Sequence, residues 1–156
     1  MTPWRDHRAE GIFWRERPGP GPVAVLLHGI GSRAGNWERL ARALPEWRLF
    51  AWDAPGYGHS VPLAAEWPVA RDYAGALKAG LRALGLGRVH LIGHSLGTLI
   101  AAAFARAWPA DVVSLTLLSC AQGGGGAPRE PLGPAYQARI DALQAKGASA
   151  FARLCP

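Results

Sequence analysis

No apolar run in this 156-residue chain reaches the ~20 residues that a membrane-spanning helix needs. Met1–Glu10 carries Arg5, Asp6, His7, Arg8 and Glu10 where a secretory signal is apolar. No membrane partner and a cytoplasmic location are therefore expected. Cysteine is nearly absent, and Cys120 and Cys155 form neither a disulfide framework nor a metal-ligand spacing. His90 and His94 have a metal-like separation, but on a strand and turn they share no helical face, so no metal and no other cofactor is expected. The net charge of +6 comes from scattered arginines, without a lysine-rich tract or an arginine-lined helix face, and nucleic-acid binding is not expected. The most consequential scarcity is of histidine, because His94 is the last of five.

Apolar residues and glycine, by contrast, are plentiful. A 49% hydrophobic composition over 156 residues supports one domain with a substantial core. Gly11–Arg17 is expected as an edge strand, followed by a Pro-Gly-Pro-Gly-Pro turn over 18–22. Val23–Leu27 and Arg48–Trp52 are short continuous apolar runs of the kind found in sheets covered on both faces. Between them, Asn36 is positioned to cap a helix reaching Leu44, with Trp37, Leu40 and Leu44 on one stripe and Glu38 four residues before Arg42. Val69–Leu84 is expected as a second helix, Arg88–Ile92 as a third strand, Leu99–Trp108 as a third helix and Val112–Ser119 as a fourth strand. This alternation predicts a mostly parallel sheet in an αβα sandwich.

Composition changes after Ala121. Four glycines at 123–126 and the prolines at 128, 131 and 134 read as a linker over 122–134. Tyr136, Ile140 and Leu143 then give a helical stripe, Gly147 suits a C-cap, and Ser149 suits the cap of a short helix through Leu154. Residues 135–156 are thus expected to begin a helical lid on a core spanning 1–121.

Gly93-His94-Ser95-Leu96-Gly97 spells Gly-x-Ser-x-Gly between a strand and a helix. Chance alone yields that pattern in about one glycine-rich chain of this size in ten, so the flanking elements carry the argument. A serine on a sharp strand-to-helix turn projects its hydroxyl from the sheet end, and the crowding leaves room only for Gly93 and Gly97 on either side. The start of the following helix supplies free N–H groups and a positive dipole end. His28-Gly29-Ile30-Gly31-Ser32 turns at the same sheet end, so that the backbone N–H groups of Ile30 and Leu96 are expected to form an oxyanion hole beside Ser95. His28, which belongs to the turn itself, and His94 are read as support for it. A dinucleotide site is the rival reading of the same turn, because Gly29-x-Gly31-x-x-Ala34 follows a strand and Asp53 ends the next one. That rival leaves Gly93–Gly97 without a purpose.

With these motifs in order, the chain resembles the α/β-hydrolase superfamily over about residues 11–121. His28-Gly29-Ile30-Gly31 is similar to its oxyanion loop, Asp53-Ala54-Pro55-Gly56-Tyr57-Gly58-His59-Ser60 to the loop after the next strand, and Gly93–Gly97 to its nucleophile elbow. The resemblance implies a serine hydrolase of a carboxylic ester or lactone. The Pro-Gly-x-Gly-x-Ser loop and the segment around Arg139 look most like esterases and 3-oxoadipate enol-lactonase-like enzymes. Ser95 is unlike the aspartate of haloalkane dehalogenases and epoxide hydrolases.

The departure from the family is equally specific. Its triad runs Ser, acid, His along the chain, yet no histidine follows Ser95, and after the elbow helix only Asp111, Glu130 and Asp141 are carboxylates. His59 has the most suitable loop position among the earlier histidines, although a loop-stabilising role suits it better. The expectation is therefore a C-terminally truncated hydrolase, nearly inactive alone, or a non-catalytic interaction module. An unfinished sheet leaves an open edge, through which self-association is expected.

Overall fold

The computed structural model describes residues 3–121, 131 and 133–152. Most of the expected linker, together with Glu130, Leu154 and Cys155, lies outside the described residues. The chain divides into two compact units, Met1–Ala121 and Gln122–Pro156.

The first unit is a six-stranded sheet of order β1-β2-β4-β3-β5-β6. Its strands are β1 (Arg5–Ala9), β2 (Ile12–Arg17), β3 (Val23–Leu27), β4 (Arg48–Trp52), β5 (Val89–His94) and β6 (Val112–Leu118). β4, β3, β5 and β6 run parallel to one another, while β1 and β2 form an antiparallel hairpin whose β2 pairs antiparallel with β4. Gly11–Arg17 is thus not the edge. The charged Arg5–Ala9 segment takes that place, where side chains on both faces keep access to water and apolar alternation is not required.

The helices are α1 (Glu38–Ala43), α2 (Ala70–Ala83) and α3 (Leu96–Ala107). Asn36 does not cap α1: it lies inside a 3-10 turn, Ala34–Trp37, that precedes the helix. Glu38 faces Arg15 of β2, with Oε1 3.3 Å from Nη1, in place of the Arg42 pairing expected along the helix. The C-terminal carbonyls of α1 and the turn after it are taken by the Arg17 guanidinium, which donates to Ala41 O, Leu44 O and Trp47 O. At the start of α2 the Asp72 carboxylate accepts the Val69 N–H at 2.8 Å, a capping contact worth about 1 kcal/mol.

Alternation along the strands builds two apolar layers. Trp14, Val25, Leu27, Phe50, Trp52 and Leu91 face Leu77, Leu81, Ile100 and Phe104 of α2 and α3. Ala24, Leu26, Leu49 and Ala51 face Ala34, Trp37 and Ala41 on the other side. Gly80 sets the approach of α2, since a Cβ there would stand 2.6 Å from the Trp14 ring. β6 differs from the other parallel strands. Val113, Leu115, Leu117 and Leu118 are exposed, and among the described residues only β5 pairs with it.

In the second unit α4 runs over Pro134–Ala152 and is interrupted at Gly147 (φ +74°, ψ 162°), the position at which the sequence predicts a helix end. Tyr136 and Leu143 of its expected apolar stripe are exposed. No helix among the described residues is long and apolar enough to cross a membrane.

Candidate active site

β5 continues two residues further than its apolar run, through His94, and α3 begins at Leu96 instead of Leu99. The connection is therefore Ser95 alone. Its backbone takes φ 51° and ψ −117°, a conformation that costs a non-glycine residue of order 1–3 kcal/mol and persists only where surrounding packing enforces it. The Ser95 N–H donates to Leu118 O of β6 at 3.0 Å, and the Ser95 carbonyl accepts both Thr98 N–H and Thr98 Oγ1–H.

The two elbow glycines are required by contacts other than those expected from their flanking of the serine. A Cβ on Gly93 would overlap the Gly97 carbonyl and lie 2.9 Å from Thr98 N. One on Gly97 would overlap the Leu27 carbonyl and stand 3.0 Å from His28 O. Gly97 therefore lets α3 sit directly on the end of β3, and Gly93 lets β5 pass under the first turn of α3.

The turn after β3 closes on the same point. A Cβ on Gly29 would be 2.8 Å from Ser95 Cβ and 3.3 Å from His94 Nδ1, so the backbone at Gly29 lies against the elbow. Gly31 adopts φ +73°, and Ile30 between them is 72% exposed. Among the described residues, the Ile30 and Leu96 N–H groups have no backbone acceptor. For Leu96 this follows from its place in the first helical turn, whose N–H groups have no partner within the helix.

His28 is a supporting residue with both ring nitrogens engaged. Nδ1–H donates to Gly29 O at 2.8 Å, and Nε2 accepts the Ala54 N–H at 3.0 Å. Burial pushes its pKa below the ordinary 6.5, outweighing the Gly29 carbonyl and the Asp53 charge, which act upward. A folded-state pKa below the unfolded one means that the unfolded chain binds the extra proton first. The contribution of His28 to stability is full above about pH 7 and is lost as pH falls from 6.5 through the lowered folded value. A His28→Leu chain is expected to unfold at lower temperature at pH 7.5, having left Ala54 N–H unpaired at a cost of about 1–3 kcal/mol. Circular-dichroism melts between pH 5 and 8 should show the wild-type advantage shrinking as the pH drops; a constant difference would contradict this reading of His28.

None of the other histidines is bonded to Ser95 either. His7 bonds Glu16, and His90 bonds Ser114 Oγ. His59 Nδ1 lies 3.4 Å from Asp53 Oδ2, and its ring packs on Phe13 at 4.9 Å between centroids. Phe13 is on β2, three strand spacings from β5, or about 14 Å. His59 thus packs on a strand that does not neighbour β5, and among the described residues it makes no hydrogen bond to Ser95. The dinucleotide reading also loses its acid, because Asp53 is 1% exposed and its two oxygens accept the N–H groups of Ala34 and His59. Sequence reasoning missed this inward role of Asp53, for which the glycine at 58 was the available signal: a Cβ there would overlap Asp53 Oδ2.

The family model for the alpha/beta hydrolase fold matches residues 22–145. The chain is 37% identical over 132 residues to the pimeloyl-[acyl-carrier protein] methyl ester esterase of Methylococcus capsulatus, an overlap covering 82% of this chain and 47% of that one. It is 42% identical over 105 residues to the lipase LipV of Mycobacterium tuberculosis, covering 66% and 40% respectively. In fold it superposes on the naproxen esterase of Bacillus subtilis with a TM-score of 0.77 at 24% identity, covering 94% of this chain and 52% of that structure. The chain thus spans about half the length, or less, of these curated relatives. A serine-centred strand-to-helix elbow, a glycine turn packed against it and the matched segment together establish that the chain belongs to the α/β-hydrolase fold family.

Proposed function

We propose that this chain provides the nucleophile half of a serine hydrolase acting on a carboxylic ester or lactone, with Ser95 as nucleophile. The observation that carries the reading is the left-handed backbone of Ser95, held between β5 and α3 with the Gly29 turn against its side chain. Such strain is retained where it aims a group. The Ile30 and Leu96 N–H groups are the proposed oxyanion donors, and removal of one such donor typically costs about 3 kcal/mol of transition-state stabilisation. The N-terminal end of α3 adds a positive partial charge at the same place. Gly93, Gly97, Gly29 and Gly31 permit the two turns to approach, and His28 and His94 flank them.

The chemistry also needs a general base, and in this reading the acid and histidine come from a segment outside these 156 residues. Relatives named esterase, lipase and 2-hydroxy-6-oxononadienedioate hydrolase support an acyl or related substrate class. Residues beyond Ala121 are proposed as the linker and the beginning of a helical lid. To test the reading, the C-terminal part of the Methylococcus capsulatus relative is joined after Ala121 and hydrolysis of p-nitrophenyl butyrate is followed. Turnover abolished by Ser95→Ala is expected; turnover unaffected by that substitution would overturn the assignment.

A second reading, a non-catalytic interaction module, draws on β6, whose outer edge is open among the described residues and whose leucines are exposed. Both readings share one consequence. The isolated chain is expected to self-associate, because unpaired strand edges and exposed apolar faces favour pairing. Light scattering is expected to give a concentration-dependent mass above the 16.6 kDa of one chain; a monodisperse monomer at high concentration would contradict it.

A further inference from the structure

We propose that Asp53 is the positioning residue of the turn that carries the Ile30 N–H, an assignment that rests on reading this N–H as an oxyanion donor. β4 ends at Trp52, and the next two residues grip the neighbouring turn. Asp53 Oδ1 accepts Ala34 N–H at 2.8 Å, at the exit of the turn. Ala54 N–H donates to His28 Nε2 at 3.0 Å, at its entry. Between these two ties the turn has one internal backbone bond, Ser32 N–H to Gly29 O at 3.2 Å, and the same carbonyl accepts His28 Nδ1–H at 2.8 Å. Ile30 projects into solvent, and nothing lies within 4 Å of the position a Cβ would take on Gly31. Beyond Gly29, which lies against the elbow, packing therefore does little to aim this segment, and its two hydrogen-bonded ends set where the Ile30 N–H points.

The carboxylate is itself held in place. Oδ2 accepts His59 N–H at 2.9 Å, and the backbone at Gly58 closes over the group, since a Cβ there would stand 2.5 Å from Asp53 Cγ. The Asp53 carbonyl accepts Ser60 Oγ–H at 2.6 Å, and Ser60 Oγ accepts Phe13 N–H at 2.9 Å, which ties the same loop to β2. Both side-chain oxygens face backbone donors. An asparagine in this position turns its NH2 toward an N–H in either amide orientation. The requirement is thus for two acceptors at a fixed spacing, and a misplacement of about 1 Å at a catalytic group costs about a hundredfold in rate.

Asp53→Asn in the full 156-residue chain, labelled with nitrogen-15, tests the assignment without any need for catalysis. Amide exchange at Ala34 is expected to speed about tenfold to a hundredfold, the worth of a hydrogen bond to a charged acceptor. The Ile30 cross-peak should move, while core amides such as Leu91 and Ile100 keep wild-type exchange. Ser60→Ala removes two bonds from the same loop but leaves the carboxylate, and Ile30 should stay in place. Equal displacement of Ile30 by both substitutions, or uniform loss of protection across the core, would reduce Asp53 to a general loop-stabilising residue and overturn the proposal. Should Asp53→Asn not fold, the wild-type chain still decides, because Ala34 N–H exchanging at the rate of a solvent-exposed amide overturns it and strong protection supports it. In the Ala121 chimera, Asp53→Asn should lower kcat about a hundredfold with KM nearly unchanged. An inactive parent chimera would count against the hydrolase reading alone, leaving the Ala34 and Ile30 measurements to judge Asp53.

Discussion

A Gly97→Val chain is expected to lose its cooperative thermal transition altogether. The Cβ of any substituent at this position overlaps the Leu27 carbonyl and comes within 2.7 Å of its carbon, and both belong to the backbone of a central strand. Side chains adjust by changing rotamer, but a strand carbonyl in a parallel ladder moves only if the ladder moves with it. α3 would have to lift from β3, taking Ile100, Ala101 and Phe104 away from Leu27 and Leu91. Separating even two such side chains from the core costs about 3–6 kcal/mol, against the 5–15 kcal/mol by which domains are typically stable. Gly97→Ala should be nearly as damaging, because the collision is already made by the Cβ. Gly31→Ala provides the contrast: its positive φ imposes strain of about 1 kcal/mol, but the space around it is empty. Circular-dichroism melting of the three chains checks the order. A Gly97→Ala chain as stable as wild type would show that α3 does not seat on β3 as described.

The second large effect concerns rate. Residues 1–156 alone should hydrolyse p-nitrophenyl butyrate about four to six orders of magnitude more slowly than a chain in which an acid and a histidine are restored, as is seen when triad members are removed from serine hydrolases. A serine hydroxyl without a base to take its proton is a poor nucleophile at neutral pH. Among the described residues none of the five histidines hydrogen-bonds Ser95. His28 has both nitrogens bonded, His7 and His90 have other partners, His59 packs tilted on Phe13, and the His94 ring lies toward Gly29. Labelling of Ser95 by a fluorophosphonate should be correspondingly slow. Fast Ser95-dependent hydrolysis by the isolated chain would mean that one of these rings relocates, and a His59→Ala chain retaining it would remove the loop histidine as the explanation.

Much of the architecture was legible in the residues because buried parallel strands and amphipathic helices leave local patterns. Val23–Leu27 and Arg48–Trp52 read directly as buried strands, Val69–Leu84 marked α2 to within a residue at each end, and Gly147 marked the break in α4. Edge and boundary features left weaker marks. β1 consists of Arg-Asp-His-Arg-Ala, which no hydrophobic pattern identifies, and it became a strand because β2 offered it a free edge. α3 starts three residues before its apolar stripe, since the elbow and not helix propensity sets its first turn.

The sequence by itself determined that a serine stands between glycines at a strand-to-helix junction, that a second glycine turn follows an earlier strand, and that no histidine comes after that serine. These are matters of residue type and order along the chain. Only the tertiary structure decided what each glycine makes room for, that His59 packs on Phe13 of β2 beside Asp53, and that Asp53 points inward to hold Ala34 in place of a ligand. Most of those relations, such as Asp53 with Ala34 and Gly97 with Leu27, join residues 19 to 70 positions apart through the sheet order, and sequence periodicity, which records only neighbours on one element, carries no information about which strand lies beside which.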